Sequence, residues 1–261
     1  MTALQIQNLS YSYGDMRILS DISFDVKPGE LISILGHNGS GKTTLLRCVS
    51  GYLKPERGQA LLGGKNVISI PAKTLAQRMA LVPQSSVMEF DFTVRDIVLM
   101  GRNPHIGRFA VESEADYALA DDALRWTNMF ELKDRSVLTL SGGEWQRTIV
   151  ARAICQNSEV LLLDEPVANL DIKHQLDILG MVRRVCRERG VCALCVMHDV
   201  NLAAHYSDKL IILNRGEMLC FGTSETVITS ENLFAAYGVK ADVRQEQGAP
   251  FMVPEYRGQG Y

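Results

Sequence analysis

Residues 36 to 43 read Gly-His-Asn-Gly-Ser-Gly-Lys-Thr. An apolar run, Leu31 to Leu35, comes just before them, and a helical pattern runs from about Thr43 to Gly51. A strand, a glycine-rich turn of the form G-x-x-x-x-G-K-S/T and a helix, in that order, make a cradle for phosphate. Phosphate is bulky and highly charged, so the backbone must come close with its N–H groups turned inward, and glycine permits that approach. The helix N-terminus adds partial positive charge. Lys42 adds a full charge for the β- and γ-phosphates, and the Thr43 hydroxyl is a magnesium ligand. At ordinary residue frequencies a chance match in a chain of this length is about one in a hundred. The candidate nucleotide contacts are Gly36, His37, Asn38, Gly39, Ser40, Gly41, Lys42, Thr43 and Thr44, although nothing in the pattern requires the His37 ring. ATP and Mg2+ are the expected ligand and ion.

A second apolar run, Val160 to Leu163, ends in Asp164, Glu165 and Pro166. A buried strand that delivers a carboxylate to its C-terminal edge is the usual magnesium partner of a phosphate loop. Asp164 is expected to hold the metal's water shell. Glu165 is placed to polarise an attacking water as general base. Around these motifs, strand and helix signals alternate through Leu210–Leu213, the rhythm of a mainly parallel sheet. Before the loop, Ile6, Ile22, Phe24 and Val26 alternate with polar residues on either side of a Gly14-Asp15 turn. Residues 58 to 70 resemble a hairpin bent at Gly63-Gly64. From about residue 86 the pattern is helical, with a capping box at Thr93, a helix over Ser113 to Phe130 and another from Ser141. The expected fold class is α/β: a P-loop NTPase core, an N-terminal antiparallel β subdomain and an inserted α-helical subdomain. The glycines and prolines of the last twenty residues (Gly248, Pro250, Pro254, Gly258) predict an irregular tail.

Composition narrows the setting. No apolar stretch approaches the roughly 18 residues that span a bilayer. Met1 to Gln5 lack the pattern of a signal peptide, so a cytoplasmic chain is expected. Net charge is −3 without a basic run, which makes nucleic acid an unexpected partner. Arg183, Arg184, Arg187 and Arg189 read as a solvated face that complements a helix C-terminus. Cys192 and Cys195 form C-x-x-C, but on a strand positions three apart face opposite sides, so reduced, packed thiols are expected.

One further motif names a family. Leu140-Ser141-Gly142-Gly143-Glu144 opens a helix before the Asp-Glu strand, and the isolated His198 follows that strand. Phosphate loop, L-S-G-G-E, Asp-Glu and histidine in this order resemble the ATPase cassette of ABC transporters, over nearly the whole chain. The resemblance implies an ATPase domain over 1–240, with the helical subdomain at about 86–157 and the tail at 241–261. It implies that Gln84 reaches the magnesium, that His198 senses the γ-phosphate and that Tyr13 stacks on adenine, with Tyr11 as the competing choice. It implies a head-to-tail pair of cassettes in which Ser141, Gly142, Gly143 and Asp171 of one copy meet the nucleotide held by the other. Glu144 departs from the usual glutamine of the family, Val167 and Ala168 from Thr-Ser, and Asn169 from alanine.

Gly101 to His105 and the run Leu170 to Gln175 resemble the branch that serves uptake of ferric siderophores, haem and cobalamin. That branch implies a multispan membrane permease as partner, an extracytoplasmic binding protein and a place at the cytoplasmic face of the inner membrane. Pro104-His105 is either a helix-ending turn or a permease contact, and His174 reads as a helix-surface residue. An exporter cassette and a soluble ATPase of iron–sulfur assembly are the other classes open to such a chain.

Overall fold

The opening strands pair as their alternation predicts. In the computed structural model, which describes residues 3–84, 90–107 and 109–255, β1 (Leu4–Tyr13) turns at Gly14 and returns as β2 (Met16–Val26). Then come β3 (Leu31–Leu35), the phosphate loop and α1 (Lys42–Val49). The hairpin β4 (Arg57–Leu62) and β5 (Lys65–Asn66) adds to β1, giving an antiparallel sheet ordered β2-β1-β4-β5.

The chain continues through α2 (Ala72–Arg78) and β6 (Met79–Val82) into three helices, α3 (Val94–Leu99), α4 (Glu114–Trp126) and α5 (Gly142–Cys155). Each of the three begins with a closed capping box, at Thr93/Asp96, Ser113/Asp116 and Ser141/Glu144. Two backbone N–H groups are thereby satisfied at each helix start, which fixes its position in the chain. The chain returns to the sheet through β7 (Val160–Asp164), α6 (Ile172–Arg189), β8 (Cys192–Val196), α7 (Val200–Tyr206), β9 (Lys209–Asn214) and β10 (Glu217–Gly222). The main sheet has the order β10-β9-β3-β8-β7-β6 and is parallel except for the β9–β10 hairpin.

Two hydrophobic cores occupy the two faces of this sheet. Leu31 and Leu35 of β3, Leu161 and Leu163 of β7 and Ala193 and Cys195 of β8 pack with α3 to α6. Ile32, Ile34, Val160, Leu162, Cys192 and Leu194 pack with α1 and the antiparallel sheet. The period-two alternation of strands thus places Cys192 and Cys195 on opposite faces, as expected. Both are free and buried, and burial pushes the Cys192 thiol up to about 12, which leaves it unreactive.

Two expectations are corrected. After α8 (Ser224–Val227) and α9 (Ser230–Tyr237), the tail is not irregular over its described part. Its residues form an antiparallel hairpin, β11 (Ala241–Glu246) and β12 (Ala249–Pro254). Gln247 and Gly248 both have positive φ, 49° and 82°, as a two-residue hairpin turn requires. Pro250 and Pro254 lie on a two-stranded ribbon, where a missing N–H is tolerated. Gly258 falls outside the described residues, as do Met1 and Thr2 of the leader reading and residues 85–89, where the helical region was expected to begin. The arginines of α6 are not simply solvated. Arg184 and Arg189 lie over the Trp126 ring at 4.5 and 4.7 Å from its centroid, and Arg189 also pairs with Asp122. These contacts dock the end of α6 on α4.

Arg102 joins the helices at a buried point. Its Nε donates to Asp116 at 2.9 Å and its Nη1 to the Cys155 carbonyl at 3.0 Å. Hydrogen bonds from Ser113, followed by Arg102, hold the Asp116 carboxyl down at about 2. A carboxyl depressed in the folded state contributes stability above its unfolded value of about 4, and that contribution is lost as pH falls through the folded value. Asp116→Asn is expected to lower stability near pH 7 by about 1–2 kcal/mol. In urea unfolding, its deficit relative to the parent should shrink as pH falls from 4 towards 2.

Candidate nucleotide site

The phosphate loop has room for glycine alone at its first position. Gly36 has φ 145°, and a Cβ there would lie 2.3 Å from the Leu213 carbonyl oxygen and 2.6 Å from Ser40 Oγ. The loop is therefore seated on β9. Ser40 is fully buried, and its hydroxyl has no hydrogen-bond partner among the described residues. Gly36 N donates to the Tyr237 hydroxyl at 3.0 Å, a link from α9 that sequence reasoning missed, since the partner lies far along the chain. Burial pushes the Tyr237 phenol up to about 12, so it stays neutral.

An open cleft of about 460 Å³ is lined by Asn38, Gly39, Gly41, Lys42, Thr43, Thr44, Gln84, Glu165 and His198, with Ile18 as one unanticipated wall. Lys42 is 6% exposed, and its Nζ donates to the carbonyls of Gly36 at 2.8 Å and His37 at 3.1 Å. Burial lowers its pKa, while Glu165 and Asp164 raise it. Burial raises the Asp164 pKa, against the hydrogen bond from Thr43 Oγ1 at 3.1 Å. Next along the chain, the Glu165 carboxylate accepts from Gln84 Nε2 at 2.6 Å and lies 2.5 Å from His198 Nε2. The phosphate loop, the strand-end acids, Gln84 and the histidine thus meet in one place. Glu165 has φ 51°, an uncommon value for a side chain of its size.

The remaining predicted residues lie elsewhere. The His37 side chain bonds the Asn38 carbonyl at 2.7 Å and does not line the cleft. Tyr13 is 46% exposed at the end of β1, edge-to-face with Tyr11 at 4.9 Å, and neither ring lines the cleft. Ser141 and Gly142 are exposed at the N-terminus of α5, outside this chain's own phosphate cleft, and Gly143 is buried beneath them. Asp171 caps α6 through His174 N at 2.9 Å.

The departures from the family pattern have local reasons. Glu144 accepts from Ser141 N at 2.8 Å and Ser141 Oγ at 2.9 Å, so a carboxylate suits the positive end of α5. Asn169 has φ 61°, which asparagine tolerates better than alanine. Nothing in the structure explains the choice of Val167 or Ala168. Pro104 and His105 are tied down, the Pro104 carbonyl by Gln77 at 2.9 Å and the His105 ring to the Gln156 carbonyl at 2.8 Å.

Residues 19–168, more than half of the chain, match the ABC transporter family. The chain belongs to that family. It is an ABC ATPase, an ATP-binding enzyme whose hydrolysis is coupled to transport. It is 41% identical over 248 residues to the hemin import ATP-binding protein HmuV of Bordetella avium (strain 197N), covering 92% of this chain and 94% of that one. It is 35% identical over 252 residues to the petrobactin import ATP-binding protein FpuC of Bacillus anthracis, covering 97% and 93%. A solved ABC transporter assigned to the metal-chelate type, in an inward-facing conformation, superposes with a TM-score of 0.86 at 30% identity, covering 98% of this chain and 99% of that one. Among the described residues of this ABC chain, no helix is long and apolar enough to cross a membrane.

Lys42→Ala removes the buried ammonium beside the cleft. ATP affinity measured by calorimetry is expected to fall by about 10- to 100-fold, with the circular dichroism spectrum unchanged.

Proposed function

We propose that this chain is the ATPase subunit of an importer for ferric siderophores, haem or a related metal chelate. The chemistry rests above all on one observation: Glu165 meets Gln84 and His198 at the mouth of the phosphate loop. Lys42, the loop N–H groups and the N-terminus of α1 hold the triphosphate. Glu165 takes a proton from the attacking water, while Gln84 and His198 orient its carboxylate. His198 then reports the state of the γ-phosphate.

Mg2+ fits the donors present. Thr43 and Asp164 offer a hydroxyl and a carboxylate side by side, oxygen ligands that suit a hard ion, and Gln84 lines the same cleft. When bound, the ion would neutralise phosphate charge; water and phosphate oxygens would complete its shell. Tyr13 is the adenine platform in this reading, at the edge of β1.

Two chains work head to tail. The N-terminus of α5, with exposed Ser141 and Gly142 and buried Gly143, and the Asp171 loop face the nucleotide of the second copy. The ATPase domain spans 1–240, with its helical part at 86–157. The permease seats over the outer rim of a groove of about 380 Å³, which joins the cleft through Thr43 and Gln84 and also includes Asp164, Tyr52, Leu81 and Pro83. Tyr52 and Leu81 are 79% and 45% exposed, apolar surface that a partner would cover. Gln84 belongs to both groove and cleft, so a partner in the groove touches the residue that holds Glu165. The chain then lies at the cytoplasmic face of the inner membrane, and an extracytoplasmic binding protein delivers the chelate to the permease. The hemin and petrobactin importers among its relatives support that cargo class.

Glu165→Gln should lose nearly all turnover, keep ATP affinity and accumulate an ATP-dependent dimer on size-exclusion chromatography. Near-normal hydrolysis would remove Glu165 from the role of base. Purification of the chain from its own cells in mild detergent should bring down a polytopic permease, with Tyr52→Arg reducing its yield at unchanged ATP affinity. Soluble partners without a permease would replace the importer by a soluble ABC ATPase of the iron–sulfur assembly type.

A further inference from the structure

His174 does more than occupy the surface of a helix. Asp171 caps α6 by accepting from His174 N at 2.9 Å. The His174 ring then returns to the same carboxylate, with Nδ1 at 2.8 Å from both oxygens. An ionised carboxylate only accepts, so Nδ1 carries the proton and donates. This clamps the ring on the first turn of α6. The side chain is 25% exposed.

The clamped ring lies against α5. A Cβ at Gly143 would lie 2.2 Å from His174 Cδ2 and 2.6 Å from both Cγ and Nε2. At ordinary contact distances only a residue without a side chain fits beneath the ring. One turn further along both helices, Arg147 Nη2 donates to Asp177 at 2.8 Å. The neighbouring Gln175 donates to the Leu170 carbonyl at 3.1 Å and the Val167 carbonyl at 3.3 Å, which steadies the loop leading into Asp171. The two short segments that the dimer reading directs at the second copy's nucleotide, Ser141–Gly143 and Asp171, are therefore joined within one protomer through a single side chain.

We propose that His174 is a positioning residue that holds the Asp171 loop and the N-terminus of α5 as one rigid unit for presentation to the partner's nucleotide. The inference rests on the head-to-tail dimer proposed above. A helix cap alone would need only the Asp171 carboxylate and the His174 N–H. The ring's place over Gly143 adds a constraint on the facing helix that capping does not require.

The test uses the full-length chain. ADP affinity reads the protomer's own cleft, and His174→Ala is expected to leave it within about twofold of the parent. In the Glu165→Gln background, the same change should raise the ATP concentration for half-maximal dimer, followed by analytical ultracentrifugation, by about tenfold or more. In the otherwise intact chain, kcat should fall by about 10- to 100-fold with a smaller change in KM. His174→Asn keeps a donor near the Nδ1 position without the ring and should fall between His and Ala in both measurements.

The proposal is overturned if His174→Ala dimerises and hydrolyses ATP within twofold of its parent. It is also overturned if ADP affinity falls together with dimer formation in both variants, since that marks a general role in folding. A Glu165→Gln parent that fails to dimerise with ATP rejects the dimer reading itself, and that control tells the two failures apart.

Discussion

The parallel pairing of β3, β8 and β7 is the constraint on which the cleft depends. These strands are neighbours and run the same way, so their C-terminal ends emerge together. β3 ends in the phosphate loop, β7 in Asp164 and Glu165, and β8 leads to His198. The ladder continues past the strand ends, with Met197 N bonded to the Ile34 carbonyl at 3.1 Å and Glu165 N to the Val196 carbonyl at 3.2 Å. The groups of the candidate site therefore inherit the register of three fully buried strands. A slip of one residue in any of these strands would send its side chains to the opposite face, exchanging the contents of the two cores. Fixed positions of this kind matter most where charge must be met at a set point.

Much of this was legible in the sequence because the chemistry is local. A phosphate loop needs contiguous residues, and a capping box closes over four positions, so Gly36 to Thr43 and Thr93 announced themselves, while Ser141 was legible only as the start of a helix. The carboxylates of Asp164 and Glu165 could be placed because an apolar run of buried-strand length ended directly before them. What was missed depends on distant packing. Tyr237 reaches Gly36 from the other end of the chain. The arginines of α6 carry an ordinary helix-end pattern, and only Trp126 on another helix gives them a platform. The 241–254 hairpin was hidden by its own residues: glycine and proline suggest irregularity, and the positive φ of Gln247 has no sequence signal.

The two faces of the main sheet divide the labour. One core supports the strands against α1 and the antiparallel sheet, near the phosphate loop. The other supports them against α3 to α6, beneath the N-terminus of α5. Each central strand contributes alternate side chains to both, so neither core can be repacked without moving the backbone that the other rests on. Gln84 lies just beyond β6 at the sheet edge, and His174 lies at the start of α6 against Gly143 of α5.

Glu165 carries a cost that the rest of the fold must absorb. Adjacent side chains on a strand point to opposite faces, so Asp164 and Glu165 could not serve neighbouring sites if β7 simply continued. The left-handed backbone at Glu165, φ 51°, ends the strand and turns the second carboxylate towards Gln84 and His198. Glycine, or asparagine, would rest more easily in that conformation. With Glu165 in its proposed role as base, stability and turnover pull in opposite directions at this position. A lineage freed from the need to hydrolyse ATP would be expected to drift there towards a sturdier but silent cassette.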